Sequence, residues 1–414
     1  MREIIHKINF EKTYYYTLIL FAFLLPLSRA ANSFFIIFLI ILLLLQGEYK
    51  KHFTVLKTST FVKAIAGFIG FMMLSLLWTE NIQLGLDPKM LYIEWIAIFA
   101  IALNIQKKQI PTIISAFILG MIISEILSYG MFLEWWQFKG HGKEYPSPFM
   151  MHIDYSVFLA FTAILLLNRF LSKQYNSKEK MLILFLFLFT TAALFINTGR
   201  TGQVGFLAGL ITMIFLRYKL NIRSIGLSIL SIGIIFGAAY TVSDKFQERI
   251  NFIQKDLERM KKGEFYTSGG LRVAMYIVAN DIVKENPLIG VGVGDYNIAA
   301  QEALEKDDHH FIPEVVEFIG SNHFHNQYLN ILIQAGFIGL ILFLMLCFQF
   351  AKLSIADEEL KNLSILFLVI FMTSFLMEPL LFKQFTNTLF ILFTGLFLGI
   401  ALQPSALSAL SKSK

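Results

Sequence analysis

Charged side chains are scarce in this chain of 414 residues: Asp, Glu, Lys and Arg together make up 15% of it. Soluble domains carry about 25%, so the composition excludes a water-soluble globular enzyme. Cysteine is almost absent, since Cys347 is the single one, and this excludes a secreted scaffold held together by disulfides. Hydrophobic residues make up 56% of the chain, and Phe alone occurs 43 times. This abundance of apolar side chains is typical of a protein that lies in a lipid bilayer.

Long apolar runs recur between residues 14 and 402, and short polar stretches separate them. An α-helix needs about 20 apolar residues to cross the roughly 30 Å of hydrocarbon in a bilayer. The pattern predicts an all-α polytopic membrane protein with about twelve transmembrane helices, which excludes a peripheral protein held by one anchor. The predicted spans lie near residues 14–28, 32–46, 60–78, 90–105, 110–132, 151–168, 181–197, 202–217, 224–243, 325–350, 363–378 and 386–402.

The first apolar run allows two interpretations. Three basic residues precede it and the small residues Ala30 and Ala31 follow it, which is the pattern of a cleaved export signal. A second apolar run, residues 34–45, begins at once, as in a hairpin of two helices. We therefore expect the first helix to be retained.

The placement of Lys and Arg predicts the orientation in the membrane. If the spans alternate from a cytoplasmic N-terminus, the cytoplasmic segments hold 19 Lys and Arg, and the five short loops on the opposite side hold six. Positive residues favour the cytoplasmic side. We predict that both termini are cytoplasmic.

One segment on the outer side, residues 244–324, is too long to be a simple connection. It carries nine Lys and Arg against fourteen Asp and Glu, so that it is acidic in a basic protein. Its pattern predicts helices over 246–262 and 271–285, a glycine-rich turn over 290–294, and a third helix that Asp295 caps.

The chain is therefore predicted to consist of four parts. These are nine transmembrane helices in 1–243, a large helical lobe in 244–324, three transmembrane helices in 325–402 and a cytoplasmic tail in 403–414.

Two arginines of the outer side are candidates for binding an anion. Arg200 lies in the turn 197–202 between two predicted spans, and Arg272 follows a glycine pair at the start of a predicted helix of the lobe. A guanidinium group can hold phosphate oxygens with two donors. Taken alone, however, Arg200 is more often an anchor for a helix end, and Arg272 more often a surface residue paired with acidic neighbours.

Two histidines lie where the lobe enters the tenth predicted span. His325 can accept a proton near neutral pH, and His323 and Asn326 can support it or orient a substrate. The alternative is that these polar residues merely cap the helix. We predict no metal site, because the spacings HxxxH and HExxH are missing and no second cysteine is present.

Three segments in this order resemble the O-antigen ligase and O-antigen polymerase superfamily of bacterial envelopes. They are TGRTG around Arg200, GGLR ending at Arg272 and followed by NPLIGVGVGDY, and HNQYL from His325 followed by QAGFIGL. The resemblance covers roughly residues 140–400. Residues 146–152 depart from the family pattern.

The resemblance implies a glycosyltransferase of the membrane-embedded C type, which inverts the sugar linkage and needs no metal or other cofactor. Its expected partners are a glycan donor on undecaprenyl diphosphate, the lipid A core as acceptor and the surrounding membrane lipids, with no nucleic acid. It implies that Arg200 and Arg272 bind the diphosphate, that His325 is the general base, and that Asn326 and His323 support the site. The enzyme is then expected in the bacterial inner membrane, with its active site facing the periplasm.

Two alternatives stay open. An O-antigen polymerase joins repeat units, and it shares the donor half of the site with a ligase. A multi-span transporter or flippase belongs to a different class, and it would be expected to carry paired ionisable groups at mid-bilayer. Few charges lie inside the predicted spans, which argues against the transporter. We favour the ligase over the polymerase because the chain is compact, with twelve predicted spans and one dominant outer loop.

Overall fold

The computed structural model describes residues 9–403 except positions 88, 139, 141, 243, 307 and 308. Within these ranges the chain forms α-helices and short 3-10 turns, and no strand. The predicted all-α class is therefore confirmed. Residues 1–8 and 404–414, which include almost all of the predicted cytoplasmic tail, lie outside the described residues.

The helices of the first part run in order through the bundle. In the described residues they are α1 (Phe10–Leu24), α2 (Arg29–Gln46), α3 (Tyr49–Leu56), α4 (Thr60–Leu74), α5 (Ile82–Gly85), α6 (Ile96–Asn104), α7 (Ile110–Phe132), α8 (His152–Leu171), α9 (Ser177–Ile196), α10 (Arg200–Tyr218) and α11 (Ile222–Val242). The long acidic segment folds into α12 (Asp244–Lys261), α13 (Gly270–Glu285), α14 (Tyr296–Lys306) and α15 (Pro313–Ser321). The chain returns to the bundle with α16 (Gln327–Ala351), α17 (Glu358–Phe375) and α18 (Gln384–Ala401).

Each of the twelve predicted spans coincides with a helical segment. In the described residues, eight helices are long and apolar enough to cross a membrane by length and composition: α2, α4, α7, α8, α9, α10, α16 and α18. The other four predicted spans coincide with α1, α6, α11 and α17, which are shorter, partly polar or charged at one end. The chain is thus a polytopic helical membrane protein.

Two helices form the centre of the bundle. Of the apolar stretch of α8, 83% of the residues are buried, and the corresponding value for α18 is 94%. Aromatic rings join these helices to α17: the centroid of Phe161 lies 4.5 Å from that of Phe393 and 5.0 Å from that of Phe367. These two helices are surrounded by other helices of the protein. Side chains in their first turns are therefore held in fixed positions at one end of the bundle.

Helix α10 packs closely on α8 because its first turns present glycine. A Cβ atom at Gly202 would lie 1.9 Å from the carbonyl oxygen of Ser156, and one at Gly199 would lie 2.4 Å from the carbonyl oxygen of His152. The backbone N–H of Gly202 donates to the hydroxyl of Ser156 at 2.9 Å. Small residues of this kind let membrane helices approach closely. The contact fixes the start of α10, where Arg200 lies.

The acidic segment is joined to the bundle through a break in α16. Gly336 has φ 62° and ψ −166°, so the helical hydrogen bonding is interrupted there. The N–H groups of Phe337 and Ile338 donate instead to the carbonyls of Pro287 and Leu288, at 2.8 and 3.1 Å. Within the glycine-rich turn, the N–H groups of Val291 and Gly292 donate to the carbonyls of Ile333 and Gln334 at 2.9 and 3.0 Å. The segment 287–292 therefore docks the lobe formed by α12 to α15 onto a membrane helix.

The prediction that Asp295 caps its own helix is wrong. Its buried carboxylate accepts hydrogen bonds from the backbone N–H groups of Glu80, at 2.7 Å, and Asn81, at 2.8 Å. These two residues directly precede α5, so Asp295 satisfies backbone donors of a distant segment. Sequence spacing could not show this contact, because the partners are more than 200 positions apart.

The close contact at Gly202 makes a stability prediction. In Gly202→Ala the added methyl must push α10 away from the backbone of α8, and we expect a loss of about 1–3 kcal/mol in the free energy of unfolding. Gly70→Ala in α4 is the matched control, because nothing lies within 4 Å of its Cβ position. Thermal unfolding of both variants in detergent measures the difference. Equal melting temperatures for Gly202→Ala and the native protein would contradict the packing described here.

Candidate active site

Arg200 and Arg272 line one cavity although they belong to different parts of the fold. Arg200 is the first residue of α10 and Arg272 lies in the first turn of α13. The cavity has a volume of about 710 Å³, and His325 and Glu378 also line it; we call it the arginine cavity. The N-terminal turns of α10 and α13 add partial positive charge to that of the side chains. The structure thus brings together the three residues whose roles the sequence analysis predicted.

Neither guanidinium group forms an ion pair with a carboxylate among the described residues, although Glu144 also lines the cavity. Glu378 is the buried carboxylate of the cavity, and its two oxygens are already engaged by His325 and Lys383. Two unpaired cations beside one cavity repel each other and favour a ligand with at least two negative charges. The arginine cavity is therefore suited to a diphosphate.

His325 is held by a buried carboxylate. Its Nδ1 lies 2.9 Å from Oε2 of Glu378, whose side chain is 1% exposed. Burial acts to raise the pKa of Glu378, but the hydrogen bond with His325 and the charge of Lys383 outweigh it and lower the pKa to about 2. Because an ionised carboxylate only accepts, Nδ1 of His325 carries a hydrogen atom. In the neutral ring, Nε2 is then a proton acceptor.

Glu378 is part of a short chain of charges. Its Oε1 lies 2.9 Å from Nζ of Lys383, and the same Nζ lies 3.8 Å from Oδ1 of Asp154 in α8. Asp154 lies in the first turn of α8, Glu378 follows the end of α17, and Lys383 directly precedes α18. The arrangement ties the imidazole of His325 to the centre of the bundle.

A buried glutamine holds the connection that carries Glu378 and Lys383. Gln327, in the first turn of α16, donates from Nε2 to the hydroxyl of Tyr92 at 3.2 Å and accepts at Oε1 from the N–H of Leu381 at 3.0 Å. It is fully buried. Residues 376–383 are thereby fixed next to the turn that contains His325.

His323 lies beside His325 but outside the arginine cavity. The two rings are perpendicular, with centroids 5.2 Å apart. Burial lowers the pKa of His323, so its ring is neutral at physiological pH. With Glu378, the two histidines place one ligand atom each within 4.8 Å of the others, which is close enough to hold a metal ion. The ammonium group of Lys383 on the same carboxylate opposes a second cation there.

Asn326 forms the N-terminal cap of α16. Its Oδ1 accepts from the N–H of Leu329 at 3.1 Å, and its Nδ2 lies 3.5 Å from the hydroxyl of Tyr276. Asn330, one turn later, donates to the carbonyl of Phe324 and keeps the turn before α16 closed. The helix-capping interpretation therefore describes the side chain of Asn326.

Sequence reasoning missed Glu378 and Lys383. Glu378 is 53 positions from its histidine partner, so no spacing rule connects the two. The sequence feature that points to it is that Glu378 is the one Asp or Glu between residues 360 and 414. His152, to which no role was assigned, also lines the arginine cavity.

The low pKa of Glu378 makes a prediction about stability in acid. A carboxylate whose pKa falls from 4.5 to about 2 on folding stabilises the fold fully above pH 4.5 and loses that contribution as the pH falls through 2. The contribution is on the order of 3 kcal/mol. We expect the free energy of unfolding to fall less steeply over this range in Glu378→Gln than in the native protein.

The exposed Glu314→Gln in the lobe is the control, and it should follow the native protein. Melting temperatures at stepped pH values give the slopes. Parallel curves for the native protein and Glu378→Gln would show that the carboxylate is not held in its charged form.

Comparison with known proteins gives two findings. Residues 184–344 match the family model described as O-antigen ligase. A protein of Haemophilus influenzae, described as uncharacterized, is 29% identical over 242 residues, which cover 54% of this chain and 58% of that protein. The chain thus spans little more than half the length of this relative.

The range matched by the family model contains Arg200, Arg272 and His325, whereas Glu378 and Lys383 follow it. The match to this model over residues 184–344 agrees with the resemblance that the three sequence segments carry.

Proposed function

We propose that the protein is an O-antigen ligase, a membrane-embedded glycosyltransferase that acts on a lipid-linked donor. It transfers a polysaccharide from undecaprenyl diphosphate to a sugar hydroxyl of the lipid A core, with inversion and without a metal. The observation that carries this proposal is that Arg200, Arg272 and His325 line one cavity. A phosphate-binding pair and a proton acceptor in one cavity are the two requirements of such a transfer.

The arginines stabilise the leaving group. When the bond between the anomeric carbon and the phosphate oxygen breaks, the electron pair stays on the departing lipid diphosphate, whose charge rises. Arg200 and Arg272 supply positive charge there before the reaction begins, because neither forms an ion pair among the described residues and Glu378 is engaged by His325 and Lys383. Preorganised charge of this kind commonly lowers the barrier by about 3–4 kcal/mol for each donor.

His325 removes the proton from the attacking hydroxyl. The hydroxyl oxygen bonds to the anomeric carbon while its proton passes to Nε2 of His325. The ring then becomes an imidazolium, which the ionised Glu378 stabilises through Nδ1 at 2.9 Å. Glu378 also fixes the tautomer, so it acts as a positioning residue.

The distribution of charge supports a periplasmic site. The three motifs lie on the side of the bundle whose short loops hold six Lys and Arg, against 19 in the predicted cytoplasmic segments. In this orientation the arginine cavity faces the periplasm at the membrane boundary, where both lipid-anchored substrates end.

Lys383 supports the metal-free proposal. It donates to Glu378 at 2.9 Å and so occupies the carboxylate that a cation held by His323 and His325 would need. Arginine then takes the place that a metal ion has in other enzymes that cleave diphosphate linkages.

Substitutions test the two roles separately. We expect Arg272→Ala to lower kcat/KM by about 100-fold or more, because one donor to the leaving group is lost. We expect His325→Ala to lower kcat by about 100-fold to 10,000-fold, because proton removal is lost. The assay is transfer from a purified lipid diphosphate glycan to lipid A core in nanodiscs. Arg223→Ala is the matched control, since Arg223 is exposed and follows α10 at the opposite end of the bundle.

Three outcomes would contradict the assignment. Normal transfer by folded Arg272→Ala would remove the diphosphate role. Full turnover in His325→Ala with loss in His323→Ala would identify His323 as the base. Elongation of a second lipid-linked repeat unit, with no transfer to lipid A core, would make the protein a polymerase.

A further inference from the structure

A second cavity adjoins the arginine cavity at the histidine–carboxylate pair. Its volume is about 870 Å³, and it shares His325, Glu378, His152 and Tyr145 with the arginine cavity. We call it the second cavity. A group in either cavity can therefore reach the same imidazole.

The second cavity has its own cations. Arg29, at the start of α2, and Lys89, before α6, both line it. Neither side chain forms an ion pair among the described residues. Lys383 lines it too, but Glu378 and Asp154 engage that ammonium group. Two cations are thus available for an anion that enters from this side.

Apolar side chains complete the lining of the second cavity. Phe149, Met151 and Phe382 contribute to it, and Met151 is 60% exposed at the end of the bundle. A cavity with apolar walls and unpaired cations suits an amphiphile with a negatively charged head group.

We propose that the second cavity is the acceptor subsite and that Arg29 and Lys89 bind a phosphate group of a lipid-anchored acceptor. This inference rests on the proposed function. Inversion requires the hydroxyl to approach the anomeric carbon from the side opposite the leaving group. Two cavities that meet at His325 provide this geometry, with the diphosphate in the arginine cavity and the acceptor in the second cavity.

Two kinds of lipid-anchored acceptor carry such a phosphate group. The phosphate belongs either to a phosphorylated sugar of lipid A core, as in a ligase, or to a second lipid diphosphate, as in a polymerase. Both present a phosphate close to a membrane anchor and a sugar hydroxyl beyond it. Phosphorylated lipid A core, its dephosphorylated form and a second lipid diphosphate glycan distinguish these sources as alternative acceptors.

The test uses the double variant Arg29→Gln/Lys89→Gln in nanodiscs, with Lys284→Gln of the exposed end of α13 as the matched control. We expect the KM for phosphorylated lipid A core to rise by about tenfold or more, since charge-assisted hydrogen bonds are lost. The KM for the lipid diphosphate donor should change by about twofold or less, because its cations lie in the other cavity. The dephosphorylated acceptor should show the same high KM with native and variant protein.

Equilibrium binding of phosphorylated lipid A core without donor separates this inference from the proposed function. If the native protein binds it tightly, and the double variant weakly, while no glycan is transferred, the subsite stands and the ligase function fails. If transfer proceeds and the double variant has native KM values for both substrates, the acceptor is bound elsewhere and this inference is overturned. A high KM for lipid A core with a low KM for a second lipid diphosphate supports the subsite and assigns it to a polymerase.

Discussion

Unpaired positive charge beside a fixed imidazole is the constraint on which the site depends. Arg200 and Arg272 face one cavity without a carboxylate partner among the described residues, while Glu378 is bound to His325 and Lys383. Without Glu378 the imidazole would lose the carboxylate that orients it. The pairing of Glu378 with Lys383 and His325 therefore separates the proton-accepting imidazole from the phosphate-binding arginines. In the proposed function, the arginines bind the negative charge of the leaving group and the imidazole accepts a proton.

The helix bundle maintains this separation through a few close contacts. Glycine at 202 lets the start of α10 lie against α8, so that Arg200 has a rigid base. The break of α16 at Gly336 receives the glycine-rich turn, which holds the lobe and Arg272 over the end of the bundle. Gln327 fixes the connection that carries Glu378. The residues of the site thus come from distant segments of the chain, and these close contacts hold the segments together.

The sequence alone predicted the helices and those site residues that lie inside motifs. Each of the twelve apolar runs coincides with a helix, and eight of these helices are long and apolar enough to cross a membrane by length and composition. The thickness of the hydrocarbon layer imposes this length, so it can be read from the sequence. Arg200, Arg272 and His325 were visible because each stands beside glycine or at a helix start. Glu378, Lys383 and the true partners of Asp295 were not predictable, since these contacts join positions that only the fold brings together.

A structure of the protein in a lipid bilayer, with a lipid diphosphate bound, tests the central claim most directly. The account predicts density for both phosphorus atoms in the arginine cavity, within hydrogen-bonding distance of Arg200 and Arg272, and the glycan extending towards His325. An arginine cavity left empty while the diphosphate binds against Arg29 and Lys89, or at the opposite end of the bundle, would contradict it.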